Sequence, residues 1–198
     1  MKIELRVDRA SLRRWHLSLA QRLARRPGAE IGFQLADGAA LATSALFQIE
    51  TLLFGLGRHG PAERIGGAAL SAFNAPGEAY LVIDLAREPA TGARVWRVEC
   101  DGVGLEAGLL AAALSGRTPT VRVLGPSGPL ASARPGADHM GLVAATFEEW
   151  LERTATLIEA ALDGSALAVP PPIPDEAPAG FDPSALAAFG EIAGLGIA

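Results

Sequence analysis

The sequence predicts an α/β fold, a Rossmann-like three-layer arrangement around a mostly parallel sheet. Three observations carry that expectation. Apolar segments of strand length recur at residues 3–7, 30–36, 80–85 and 95–100, with stretches of helical spacing between them. The strongest of them, YLVIDL at 80–85, is a continuous apolar run of the kind found in a central strand covered on both faces. At 198 residues, 49% hydrophobic and only 6% aromatic, the chain is long enough for one domain with a core of small aliphatic side chains.

Each element can be read in order. Ile3, Leu5 and Val7 alternate with charged residues, as in a strand with one polar face. Ser11 is the expected N-cap of a first helix, along which Leu12, Trp15, Leu19 and Leu23 recur at helical spacing until Pro27-Gly28 stops it. A second strand over residues 30–36 ends at the turn Asp37-Gly38. Residues 44–56 form a helix that is apolar nearly all round, which places it in the core; docking on a partner is the other reading of such a helix. A loop follows, then a short helix or strand at 68–73 and the central strand. Residues 95–100 form a strand, 106–114 a short helix, and 120–124 with 130–133 a hairpin around Gly125-Pro126-Ser127-Gly128.

A long helix over 141–162 closes the domain, with Asp138 as its candidate cap and Glu149 spaced to pair with Arg153. The α/β domain therefore spans residues 1–163. Residues 164–183 read as a proline-rich, extended linker. Residues 184–198 read as a short apolar segment that docks back, binds a partner or leads into a further domain.

Composition excludes several classes of function. The formal net charge of −5 argues against bulk nucleic-acid binding. Arg6, Arg9, Arg13, Arg14, Arg22, Arg25 and Arg26 nevertheless gather near the N-terminus, as a solvated helix face or, alternatively, an anion-binding patch. Cys100 is the only cysteine, which excludes a disulfide framework and a cysteine-based metal site. No apolar run approaches the roughly 20 residues that span a bilayer. The opening MKIELRVDR lacks the apolar run of a secretory signal, so the expected location is cytoplasmic.

Sheets of this type bind ligands beyond the carboxyl ends of their strands. Asp8, Asp37, Asp84 and the pair Glu99 and Asp101 all fall at or near predicted strand ends. Converging there, they would hold a divalent cation, an amine or sugar hydroxyls, which makes Asp8, Asp37, Asp84 and Asp101 the candidate ligand-binding residues. The competing reading is that aspartate ends strands because it caps helices and starts turns. His16, His59 and His139 form no recognisable constellation and read as satisfied or surface histidines. Ser127 has no GxSxG elbow around it, VDRASLR stands where a GxGxxG would follow the first strand, and neither a P-loop nor HExxH occurs. No particular cofactor is implied.

The order of elements resembles the N-terminal catalytic domain of the formyltransferase family. YLVIDLA stands where that family has its central strand, and VWRVECDG where it has a strand bearing Asn-x-His-x-Ser. LLAAALSGRTPTVRVL is similar to its short helix, glycine turn and next strand, and GPSGPLASA to its Asp-x-Gly-Pro-Ile segment. The resemblance covers residues 1–163. On this placement Arg97 falls at the family's catalytic Asn, Glu99 at its His and Pro126 at its Asp. Those groups polarise the formyl carbonyl and move protons around a tetrahedral intermediate, and proline does neither. The opening VDRASLRRWHLSLAQRLARRPG is also similar to formyltransferase-like modules of larger bacterial proteins, some of them likened to glucosamine inositolphosphorylceramide transferases.

The resemblance thus implies a formyltransferase-like pseudoenzyme, an accessory module binding a nucleotide-sugar or similar polar small molecule in glycan or glycolipid metabolism. One alternative is an active formyl- or glycosyl-type transferase with Arg97 as oxyanion stabiliser and Glu99 as base. The other is a protein-interaction scaffold, docking through residues 44–56 or the C-terminal tail. An enzyme or a ligand-binding module requires Asp8, Arg97 and Glu99 in one open cleft. A scaffold requires a closed rim and an exposed apolar patch.

Overall fold

A computed structural model of the protein describes residues 1–38, 41, 45–56, 59–73, 79–138 and 141–164. The chain adopts the expected α/β, Rossmann-like architecture, a seven-stranded sheet with helices packed on it. β1 (Lys2–Asp8) lies between β2 (Glu30–Ala36) and β3 (Leu81–Asp84), parallel to both, and β3 runs parallel to β4 (Val95–Cys100). The two-residue β5 (Val103–Gly104) folds back on β4, and β6 (Val121–Gly125) and β7 (Gly128–Ala133) extend the sheet antiparallel in the order β2-β1-β3-β4-β6-β7. Among the described residues, four α-helices pack with the sheet: α1 (Arg14–Ala24), α2 (Ala45–Phe54), α3 (Leu105–Leu114) and α4 (Val143–Leu162).

Alternation along the strands decides where the core lies. The register puts Ile3, Leu5 and Val7 on one face with Ile31, Phe33, Leu81, Ile83 and Val98. These join Trp15, Leu19, Leu109, Phe147, Trp150 and Ile158 from the helices in a single buried cluster. The opposite face carries Glu4, Arg6, Asp84, Arg97, Glu99 and Arg122, and Arg6 meets Asp84 across the β1–β3 pair at 2.8 Å. Among the described residues no buried apolar cluster covers that second face.

Local chemistry explains the elements and where they depart from expectation. Ser11 is not the cap of α1: it sits in a 3-10 turn (Arg9–Ser11), Arg13 is the N-cap residue, and Ser11 Oγ instead accepts the Leu41 N–H. The short segment expected at 68–73 is a 3-10 turn at Gly67–Leu70. Asp101 and Gly102 both have positive φ and make the tight turn between β4 and β5, a use for which an Asp-Gly pair is suited. Asp138 does not cap α4. The Glu50 carboxylate reaches across from α2 and accepts the N–H groups of Val143 (3.0 Å) and Ala144 (2.6 Å), filling donors that a helix start leaves open.

The largest correction concerns α2. Its apolar character suggested burial, but only Phe47 and Glu50 are buried. Phe47 meets Phe147 edge to face at 5.8 Å between ring centroids, whereas Leu52, Leu53 and Phe54 are 73%, 68% and 62% exposed. Beyond Gly164, the proline-rich linker and the apolar segment at 184–198 lie outside the described residues.

One glycine sets the distance between α3 and the sheet. A Cβ at Gly108 would lie 2.6 Å from both the Cβ and the carbonyl oxygen of Cys100 on β4. Gly108→Ala gains helix propensity but drives a methyl into strand backbone, so a net loss of about 1–3 kcal/mol is expected from urea unfolding. A variant as stable as the parent would show that α3 can lift off β4 at no cost.

Candidate functional site

The chain leaves β1 for β2 on one side and later returns to β3 on the other, so the carboxyl ends of β1 and β3 flank a topological switch point. A cleft lies there, lined by Asp8 at the end of β1, Leu85 and Arg87 after β3, Ser11 and His16 from the β1–α1 segment, and residues 104–107 at the start of α3. Its room is about 30 Å³, space for roughly two waters. Backbone hydrogen bonding shapes the wall: Asp8 Oδ2 accepts the Arg87 N–H at 2.9 Å, and a side chain at Gly38 would collide with the Asp8 carboxylate.

Behind the cleft is a buried polar cluster that joins α1 to α3. Glu106 accepts Trp15 Nε1–H at 2.8 Å on one carboxylate oxygen and Arg13 Nε–H at 2.9 Å on the other. Arg13 also donates through Nη1 to the Ala62 carbonyl, and its guanidinium lies 5.6 Å from the Phe147 ring centroid. Its Nη2 is buried with no hydrogen-bond partner. The ring face below supplies partial compensation for that charge.

His16 is the residue sequence reasoning undervalued. It is 2% exposed and stacked at a tilt on Trp15, with 4.2 Å between centroids. Its Nδ1 accepts the Arg13 backbone N–H at 3.0 Å, which places the proton of the neutral ring on Nε2. Burial, and secondarily the Arg13 charge, pushes its pKa down to about 3. The ring is therefore neutral at physiological pH, and Nε2 stands 3.7 Å from Glu106 Oε1, beyond hydrogen-bonding distance. The available signal was its place, one step from Trp15 on the buried stripe of an amphipathic helix.

The other predicted residues do not meet at this cleft. Asp37 is exposed and faces Arg9 at 3.6 Å. Asp84 is buried, holding Arg6 and the backbone N–H groups of Ala86 and Ala90, so it organises the β3–β4 loop. Asp101 accepts the Thr120 N–H and pairs with Arg117. Arg97 and Glu99 lie on the polar face of β4, where Glu99 sits 3.9 Å from Arg97 and 4.0 Å from Arg122. Of the candidate residues, only Asp8 lines the cleft.

Among the described residues no three His, Cys, Asp or Glu side chains come together as a metal site. His59 is exposed, and His139 lies outside the described residues. Cys100 is buried and its thiol pKa is raised to about 12 by burial and then by the Asp101 charge, which makes it a poor nucleophile. No described helix is long and apolar enough to cross a membrane. A broader groove of about 250 Å³ between Ala133–Gly136 and α4 presents Arg153, but Glu149 and Asp138 already pair with it.

No protein-family model and no curated protein matches this chain.

The buried histidine makes stability pH-dependent with a definite sign. Unfolded, His16 titrates near its ordinary value of 6.5; folded, near 3. Between those values the unfolded chain binds the extra proton, so stability falls as pH drops below 6.5, by up to about 1.4 kcal/mol per unit. Urea midpoints should hold level from pH 8 to 7 and decline from pH 6.5 to 5.5, above the carboxylate range. In His16→Asn, which keeps an acceptor for the Arg13 N–H, that decline should vanish. An identical slope in the variant would assign it to other groups.

Proposed function

We propose that the chain is a binding module rather than a catalyst, and that it docks a partner protein through the outer face of α2. One observation carries this reading. Leu46, Ile49, Leu52, Leu53 and Phe54 project from one short helix and are all exposed. Holding large apolar side chains in water opposes the hydrophobic effect at each of them, and contiguous patches of this kind mark interaction surfaces.

The chemistry of the patch narrows the partner. Glu50 is the only charged residue in α2, and it is turned inward onto α4. The helix itself carries no Lys or Arg to draw it to anionic lipid. An apolar helix or loop of another protein is the fitting occupant.

The transferase reading needs Asp8, Arg97 and Glu99 around one opening. Asp8 lines the cleft whereas Arg97 and Glu99 lie on the polar face of β4, so the geometry supports that reading less well. An accessory role in glycan or glycolipid chemistry, implied by the resemblance to formyltransferase-type modules, is compatible with docking: such a module acts by positioning a partner.

A photo-crosslinking residue placed at Leu53, in the full chain and in cells, tests the proposal. Crosslinking to one defined protein species is expected, well above that of the same residue placed at exposed Gln34 on β2. Mass spectrometry then separates a different protein from a second copy and from residues 184–198 of the same chain. Equal, diffuse labelling from both positions would sink the docking reading.

A further inference from the structure

The cleft at the switch point has an internal chemistry that partner docking does not use. Its lining presents free donors. His16 Nε2–H is held in place by the Nδ1 contact to Arg13, lies in a side chain 2% exposed, and has no acceptor within hydrogen-bonding distance. The Ser11 oxygen takes the Leu41 N–H, which leaves its own hydrogen to donate. Residues 104–107 bring the start of α3 to the same wall, and its N-cap residue, Gly104, supplies no capping side chain, so first-turn N–H groups are left without a capping acceptor beside the cleft.

The acceptors are mostly committed. Asp8 Oδ2 holds the Arg87 N–H, Asp8 Oδ1 lies over Gly38, where a Cβ would collide with it, and both oxygens of Glu106 hold Trp15 and Arg13. Two carboxylates at the lining make the site unfavourable for a third anion, in spite of the helix terminus. With room of about 30 Å³, only the tip of a molecule enters.

We infer that this cleft binds a neutral oxygen acceptor, the carbonyl of an amide or the hydroxyl of a polyol, through His16 Nε2–H, the Ser11 hydroxyl and the first-turn amides of α3. A carbonyl or hydroxyl oxygen has two lone pairs and accepts from converging donors without bringing charge. Burial keeps the imidazole neutral, so it donates as a fixed dipole and does not compete for a proton. The site is independent of α2, and the two proposals stand or fall separately.

The test uses the full chain labelled with ¹⁵N-histidine and follows the His16 ring nitrogens by long-range ¹H–¹⁵N correlation. Acetamide, glycerol and sodium acetate are each titrated to about 100 mM, because molecules this small bind weakly at best. The expected result is a saturable shift of His16 Nε2 with acetamide or glycerol, none with acetate, and loss of the shift in Ala107→Leu, which fills the cleft from α3. Ser11→Ala, a second variant that leaves the histidine and α3 intact, should weaken the response several-fold. The inference is overturned if neither neutral probe moves the resonance, if acetate moves it as strongly, or if the shift survives Ala107→Leu. Which neutral probe acts then distinguishes an amide from a polyol.

Discussion

The ion pair between Arg13 and Glu106 is the contact on which the rest of this domain depends. Residues 93 positions apart in sequence meet at 2.9 Å inside the protein. Taking two opposite charges out of water costs several kcal/mol per ion, and only close geometry with further hydrogen bonds offsets it. Here Trp15 Nε1 and the Ala62 carbonyl supply those bonds. The pair therefore contributes specificity more than bulk stability: it selects the docking of α1 against the start of α3 in which both Glu106 oxygens and the Arg13 Nε and Nη1 groups are satisfied, with Arg13 Nη2 left unpartnered. Everything at the switch point inherits that choice, including the side on which the His16 ring presents its proton.

The N-terminal arginines show how misleading charge along a chain can be. Read linearly they form a basic cluster; folded, most are spent within the molecule. Arg6 meets Asp84, Arg14 meets Glu63, Arg22 meets Glu152 and Glu159, and Arg26 meets Asp163 and the Glu159 carbonyl. The last two ties fasten α1 to the C-terminal half of α4. Apart from Arg6 with the buried Asp84, these are surface pairs that each contribute less than about 1 kcal/mol, but together they leave little free positive field for an anionic polymer.

Much of the fold was legible because its signals are local. Strand periodicity located β2 and β4 to the residue, and Gly125 to Gly128 marked the turn of the β6–β7 hairpin. The exposure of α2 was not legible, because a helix apolar on every side carries no record of which side faces inward. That the strand-end aspartates go separate ways was not legible either. Asp84 and Asp101 went to nearby backbone amides, as short carboxylates do at chain reversals. Asp101-Gly102 was a readable turn signal, and it delivers Gly104 to the head of α3. Pairings such as Arg13 with Glu106 or Glu50 with the α4 amides depend on tertiary placement, for which spacing along the chain holds no information.

The double duty of α2 has a mechanical consequence. On its inner side Glu50 grips the first amides of α4, and on its outer side Leu52, Leu53 and Phe54 meet the surroundings. A displacement of α2 by one helical turn, about 5.4 Å, would strip the carboxylate from both amides. Those amides open a 20-residue helix whose other end is tied to α1, so the outer face of α2 and the start of α4 are one contact apart.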